Sequence, residues 1–300
     1  MLSLNFPKEV VIIEVGPRDG LQNEPQFVDT EIKKAFIQKL AAAGIKEMEL
    51  TSFVSPKWVP QMKDAGEIVQ SAPEGVRGIV LAPNRKGIER VLKTSCKSVA
   101  VFVGVSNTFN KKNINKSTRE SMAELQPLIE ELKAKNFFVR ACISTAFYCP
   151  YEGKIQEDDT LALCREFVAA GVDELSVADT IGMAAPHESY SLFSRLKEAL
   201  PDVLLAAHFH DTRKMALANT YAALEAGVNR FDSSAGGLGG CPFAPGATGN
   251  VATEDVVYML GRMGIETSID LDKLVDAVDT VAPVISRQID TGYYRLSKQG

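Results

Sequence analysis

The chain has 300 residues, 45% of them hydrophobic, and a formal net charge of −5 at pH 7. That length can bury one large core or two modest ones, and the acidic balance excludes a protein that holds nucleic acid by bulk charge. An anionic ligand must therefore be met by local cations. Five cysteines, Cys96, Cys142, Cys149, Cys164 and Cys241, lack CxxC pairing and small-scaffold density, so reduced thiols in a cytosol-like compartment are expected. The first ten residues are too polar for a signal peptide and lack the Arg-rich character of a transit peptide. No apolar run approaches the roughly 20 residues needed to cross a bilayer. The expectation is a cytoplasmic protein with neither a membrane nor a nucleic-acid partner.

In chain order, short β-rich runs alternate with helical patterns. Strands are expected near 10–15, 47–53, 76–81, 98–105, 138–145, 174–178, 203–210 and 230–234. Helices are expected near 30–43, 63–71, 84–93, 118–135, 157–170, 188–199, 214–226 and 253–263. Gly44, Gly171 and Gly227 each stand just past a helix, where the left-handed conformation that ends it is cheap for glycine. Eight strand–helix units in about 250 residues, with right-handed crossovers, close into a (β/α)8 barrel, here an α/β TIM barrel of about 8–265. A doubly wound open sheet is the alternative, but no Gly-x-Gly-x-x-Gly opens the first helix. The whole chain, 1–300, reads as one domain, with 266–300 as a C-terminal helix and tail. Leu271, Leu274, Val275, Val278, Val281 and Ala282 recur at helical spacing, and Pro283 ends or kinks that helix. It is expected to cover the barrel bottom or to form a subunit contact in a homodimer, and 286–300 reads as a mobile tail.

The seventh strand ends Ala-Ala-His-Phe-His-Asp. Side chains alternate along a strand, so His208 and His210 point the same way and Phe209 points oppositely. Two imidazoles at the end of a buried strand make a pair of metal ligands, the alternative being hydrogen-bonded core histidines. The C-terminal ends of barrel strands build the active site of such folds, and the other strand ends supply acidic and amide groups. After the first strand come Arg18 and Asp19, a cation and a hard oxygen ligand side by side. Asn250 offers a further oxygen. Asp19, His208, His210 and Asn250 form a two-nitrogen, two-oxygen set that suits Mg²⁺ or Mn²⁺ better than structural zinc. The chain has three histidines, too few for a zinc amidohydrolase.

Glu49 lies inside an otherwise apolar second strand and requires a partner, for which Arg18 is the candidate; a catalytic carboxylate and a structural ion pair are both open for it. Asp179 ends the sixth strand and is expected at the mouth, touching the metal or its ligands. The loop after the eighth strand, 233–250, is rich in glycine and carries Cys241, a thiol suited to proton transfer. Lys112, with Lys111 and Lys116, follows the fourth strand and is a candidate cation for the phosphates of a large anionic ligand.

These segments resemble 3-hydroxy-3-methylglutaryl-CoA lyase, within the wider group of metal-dependent barrel lyases and Claisen-type synthases. The resemblance rests on Glu-Val-Gly-Pro-Arg-Asp-Gly-Leu-Gln-Asn-Glu at 14–24, Thr-Ser-Phe-Val-Ser-Pro-Lys-Trp at 51–58, Lys-Asn-Ile-Asn at 112–115, Cys-Pro-Tyr-Glu-Gly at 149–153, His-Phe-His-Asp-Thr at 208–212 and Gly-Gly-Leu-Gly-Gly-Cys-Pro at 236–242. It implies an acyl-CoA substrate cleaved to acetyl-CoA and acetoacetate by retro-Claisen chemistry, a role in leucine breakdown, and a divalent metal on Asp19, His208, His210 and Asn250. It also implies substrate contact through Arg18 and an active-site role for Cys241. The base stays open among Asp19, Asp179 and a histidine. A different 3-hydroxy-3-substituted glutaryl-CoA, or a related synthase or aldolase, is the alternative. Tyr148 and Ala178 stand where the family usually has glycine, and the pair Arg213-Lys214 stands where Tyr-Gly or Arg-Gly is usual.

Overall fold

The computed structural model of the chain describes residues 6–240 and 249–299. In order, the elements are β1 (Val11–Glu14), α1 (Thr30–Ala42), β2 (Glu47–Ser52), α2 (Ala65–Gln70), β3 (Arg77–Leu81), α3 (Arg85–Val91), β4 (Ser98–Gly104), α4 (Asn107–Ile114), α5 (Thr118–Ala134), β5 (Phe138–Ser144), β6 (Tyr148–Cys149), β7 (Gly153–Lys154), α6 (Glu157–Ala169), β8 (Glu174–Asp179), α7 (Pro186–Ala199), β9 (Leu204–Phe209), α8 (Ala216–Glu225), β10 (Arg230–Ser233), α9 (Thr253–Arg262), α10 (Leu271–Val281) and α11 (Gly292–Ser297). Eight parallel strands close in the order β1-β2-β3-β4-β5-β8-β9-β10, and β10 pairs back onto β1. This is the TIM barrel expected from the alternation, and each expected strand falls within a residue or two of its place. The extra pair β6 and β7 is a small antiparallel hairpin beyond β5.

Helix ends follow their capping chemistry. Ser117 and Glu120 form a reciprocal capping box at the start of α5, and Asp29, Asn84 and Ser106 accept amide hydrogen bonds at the starts of α1, α3 and α4. Gly44, Gly171 and Gly227 all take positive φ just beyond α1, α6 and α8.

Three elements differ from the sequence reading. Residues 107–114, read as loop, form α4. Its length is eight residues and only Phe109 and Asn110 are buried, so no apolar period announces it. The extra helix α10 does not cap the barrel floor. It runs up the side, packing on α1 and α9, with Asp270 N bonded to the Ala43 carbonyl at 2.8 Å. The tail is folded rather than loose: α11 packs on α9, where Asp255 accepts from the backbone of Gly292 and Tyr293.

The outer faces of the strands and the helices form the main apolar core. Inside the barrel the lining is mixed. Ile13, Val15, Ile79, Leu81, Ala100 and Ala206 form an apolar cluster. Inward residues of the strands between them form a chain of ion pairs. Glu47 meets Arg230, Arg230 meets Glu174, and Glu174 meets Arg140. Arg140 also holds Glu49 at 2.9 Å and pairs with Asp232. Arg140, Glu49, Glu174 and Asp232 are all buried, so each charge persists only because its neighbours complete it.

Candidate metal centre and active site

The ion-pair chain surfaces at the C-terminal ends of the strands. There β1 leads into a five-residue π-helical turn, Gly16–Gly20, which projects Arg18 and Asp19 over the barrel axis. Gly20 permits this turn to lie against the loop after β10: a Cβ there would meet Leu238 Cβ and Ser234 Oγ at 2.9 Å. Arg18 donates from Nε to Glu49 Oε2 at 2.6 Å and from Nη1 to Asp19 Oδ1 at 2.7 Å. The expected Arg18–Glu49 pair is present, and Glu49 joins it to Arg140 below.

His208 and His210 share a face of β9 and its end, and their Nε2 atoms stand 3.1 Å apart. Asp19, His208 and His210 bring one ligand atom each within 4.8 Å of one another. The backbone after the glycine-rich loop runs antiparallel beside His210, which places Asn250 there as well. Asn250 turns its amide nitrogen to Asp19 Oδ2 at 2.9 Å and to the Leu238 carbonyl at 3.1 Å. A half-turn of the amide would exchange its nitrogen for its oxygen beside Asp19.

The donor set fits a divalent cation. The carboxylate of Asp232 lies 3.0 Å from His208 Nδ1, which leaves Nε2 of that ring with its lone pair toward the shared space. His210 Nδ1 is buried without a hydrogen-bond partner among the described residues. Five carboxylates, Asp19, Glu47, Glu49, Glu174 and Asp232, share the buried guanidinium groups of Arg18, Arg140 and Arg230, with Arg77 at the rim. The set is net negative, which favours a cation at its open end.

Protonation follows the same layout. Burial opposes the charge on Asp19, but Arg18, His208 and His210 outweigh it and bring the carboxyl down to about 2. Burial likewise opposes the charge on Asp232, yet Arg140 and His208 hold it well below the usual carboxylate range. His208 is raised because Asp232 outweighs burial, whereas burial and the neighbouring His208 lower His210 to about 4.

A cavity of about 810 Å³ opens over this cluster. Arg18, Asp19, Glu49, His208, His210 and Asp232 line its floor, and Trp58, Asn84, Lys112 and Lys116 line its mouth. Lys112 lies on α4, not on a loop, with Nζ 4.6 Å from the centre of the Tyr151 ring. Lys116 is paired with Glu124. Ala178 and Cys142 also line the cavity. The other two departures do not: Tyr148 donates to Glu188 at 2.8 Å, and Arg213 donates to the Ile181 and Gly182 carbonyls.

The expected position of Asp179 is corrected. Glu174, Ser176 and Ala178 face inward on β8, so Asp179 has the opposite parity and faces the helix layer. Its carboxylate accepts from Met183 N at 3.0 Å and Ala184 N at 2.9 Å, closing the turn after the strand. Burial raises it to about 6 despite those bonds. It touches neither the cavity nor the histidines. Cys241 lies outside the described residues.

Two residues that the sequence reading passed over, Arg140 and Asp232, join the cluster to the barrel interior. Their signal was the one noticed for Glu49, a charge on the inward parity of an apolar strand.

Behind the floor, two more buried carboxylates fasten the loops. Glu14 accepts from Gly16 N at 2.7 Å, Ala235 N at 3.0 Å and Thr253 Oγ1 at 2.7 Å, while Glu254 accepts from Gly236 N at 3.0 Å and from Thr291. Burial raises both to about 7, against partial relief from these donors. A carboxyl raised on folding leaves the native state with more bound protons between the unfolded value and the folded one. Stability is therefore fullest below about pH 4.5 for this contribution and declines as pH climbs through about 7. In urea unfolding at pH 5 and pH 8, Glu254→Gln is expected to lose less stability than the parent, by about 3 kcal/mol. Parallel losses in the two proteins would refute the assignment.

A parallel barrel whose mouth gathers one aspartate and two histidines around a net-negative interior belongs to the class of barrel enzymes with a candidate metal centre. The HMGL-like family model matches residues 9–281, and the chain belongs to that family. It is 45% identical over 295 residues to the hydroxymethylglutaryl-CoA lyase YngG of Bacillus subtilis, covering 98% of this chain and 99% of that one. The crystal structure of hydroxymethylglutaryl-CoA lyase from Pseudomonas aeruginosa superposes with a TM-score of 0.95 at 41% identity, covering 99% of this chain and all of that one. An HMG-CoA lyase from Acinetobacter baumannii, solved with coenzyme A and 3-methylmalate, gives 0.91 at 36% identity, covering 98% and 95%.

Proposed function

We propose that this chain is a carbon–carbon lyase that cleaves 3-hydroxy-3-methylglutaryl-CoA to acetyl-CoA and acetoacetate. The observation that carries the reading is the convergence of Asp19, His208 and His210 beside Arg18 on the cavity floor. Full-length similarity to proteins named for this activity supports it. Asp19, His208, His210 and, through its amide oxygen, Asn250 would hold Mg²⁺ or Mn²⁺. When bound, the cation supplies Lewis-acid polarisation of the substrate's oxygens.

The residues of the chain do the rest. Asp232 keeps the His208 ring in one tautomer, and the Arg18–Glu49–Arg140 chain fixes a guanidinium at the cavity wall. Loss of the hydroxyl proton and scission of the bond between the α and β carbons place negative charge on the thioester oxygen. Arg18 stabilises that charge as it develops. Asp19 and the histidines stay as candidates for the group that takes the hydroxyl proton; Asp179 does not. Cys241 is assigned the return of a proton to the enolate carbon, and Lys112 contact with the CoA phosphates. The protein is assigned to the cytoplasm, in leucine breakdown. No helix among the described residues is long and apolar enough to cross a membrane.

The test is release of acetyl-CoA from 3-hydroxy-3-methylglutaryl-CoA. Turnover with Mn²⁺ and none with EDTA is the expected result. A protein that binds Mn²⁺ but leaves this substrate intact would rule out this acyl group. Because Ala178 adds a methyl to the cavity wall where glycine is usual, a glutaryl-CoA with a smaller 3-substituent is then the next substrate to assay.

A further inference from the structure

The segment that follows α10 reaches the base of the glycine-rich loop from outside the barrel. Arg287, half-buried, donates from Nη2 to the Gly237 carbonyl. Gly236 and Gly237 both take positive φ, +71° and +57°, so the turn they form suits glycine and little else. The same segment fills the space their missing side chains leave. A Cβ on Gly236 would meet Ile289 Cδ1 at 2.9 Å, and one on Gly237 would meet Thr291 Cγ2 at 3.1 Å. Thr291 also donates to Glu254, whose other oxygen accepts from Gly236 N.

On its inner side this turn meets the candidate metal centre. The carbonyl after the one that Arg287 holds belongs to Leu238, and it accepts from Asn250 Nδ2 at 3.1 Å. The same amide nitrogen donates to Asp19 Oδ2 at 2.9 Å. Asn250 N also donates to the Leu238 carbonyl, at 3.3 Å. Arg287 and Asn250 are thus linked through two successive carbonyls, and the bond from Asn250 N holds whichever way the side-chain amide is turned beside Asp19. The carboxylate that faces Arg287 is Glu24, whose Oε2 accepts from Ser286 N at 2.7 Å. Burial lowers the Arg287 guanidinium from its ordinary value. A surface cation would gain more by staying in water.

We propose that Arg287 is a positioning residue for the metal centre: by holding the Gly237 carbonyl it sets the turn whose next carbonyl keeps Asn250 against Asp19. The proposal rests on the metal reading given above and extends it to a segment that touches none of the ligands. Residues that orient ligands from outside typically govern metal affinity by about 10- to 100-fold.

The experiment is a Mn²⁺ titration of the metal-free, full-length protein, reading free Mn²⁺ by electron paramagnetic resonance. The parent is compared with Arg287→Ala, Arg287→Lys and Tyr294→Phe. Tyr294 donates to Asp279 at 2.8 Å and so anchors the same tail away from the turn. Expected is a Kd raised about tenfold in Arg287→Ala, largely restored in Arg287→Lys and unchanged in Tyr294→Phe. Urea midpoints of the metal-free proteins show that each variant is folded. An unchanged Kd in Arg287→Ala overturns the proposal. So does an equal rise in Tyr294→Phe, because general docking of the tail would then carry the effect. If this pattern holds while 3-hydroxy-3-methylglutaryl-CoA stays uncleaved, the substrate reading fails and the role of Arg287 stands. A parent chain that binds no Mn²⁺ overturns both the metal reading and this proposal.

Discussion

His208→Ala is expected to abolish Mn²⁺ binding in the micromolar range and to lower acetyl-CoA release by about four orders of magnitude. The imidazole does two things at once. Its Nε2 faces the Nε2 of His210 at 3.1 Å, and its Nδ1 is the partner of Asp232. Removing the ring withdraws one of four ligand groups and leaves Asp232 with Arg140 and Ser176 as its polar contacts. The fold itself should survive, because Arg140 still neutralises that carboxylate. The measurements are a Mn²⁺ titration and an acetyl-CoA assay on the same preparation, with a urea melt to show native stability. Turnover within tenfold of the parent would place the chemistry elsewhere in the barrel.

Arg140→Met is expected to have the largest effect on stability, a loss of about 4 kcal/mol or more at pH 7. The guanidinium is fully buried and pairs with Glu49, Glu174 and Asp232 together. Methionine fills much of the volume but leaves three carboxylates facing one another without their shared cation. Their pKa values must then rise. The variant should accordingly lose less at pH 4.5, where protons can replace the missing charge, than at pH 7. Urea unfolding at both values checks the size and the sign. Equal stability of variant and parent at pH 7 would show that the interior carboxylates find other partners.

Much of this arrangement could be read from the chain before any coordinates. The alternation of apolar strands and helices fixes the barrel, and strand parity alone puts His208 and His210 on one face. Parity also explains the misplacement of Asp179. It stands one residue beyond Ala178, and Glu174, Ser176 and Ala178 share the inward face, so its outward direction was there to be counted. Arg140 and Asp232 were hidden for a different reason. A charge within a strand looks like an edge or a rim until its partners are known, and those partners lie 91 and 24 residues away, as Glu49 and His208. The tail was misread because its apolar contacts are scattered: Ile289 enters the core, with Val284, Ile285 and Tyr294 packed against it. The tail is also held by hydrogen bonds to Glu24, Glu254 and Asp255, which leave no hydrophobic period in the sequence.

The charged network inside the barrel also constrains how such a sequence can drift over generations. Ion pairs of this kind can be exchanged for apolar residues when the whole set changes together, yet any single exchange strands a charge. Each one-step path away from Glu47, Arg230, Glu174 and Arg140 therefore descends in fitness before it can climb. Here the set cannot change together either, since Glu49 and Asp232 belong to it and also brace Arg18 and His208. The ancestry of the barrel core and the ancestry of its chemistry are bound into one heritable block.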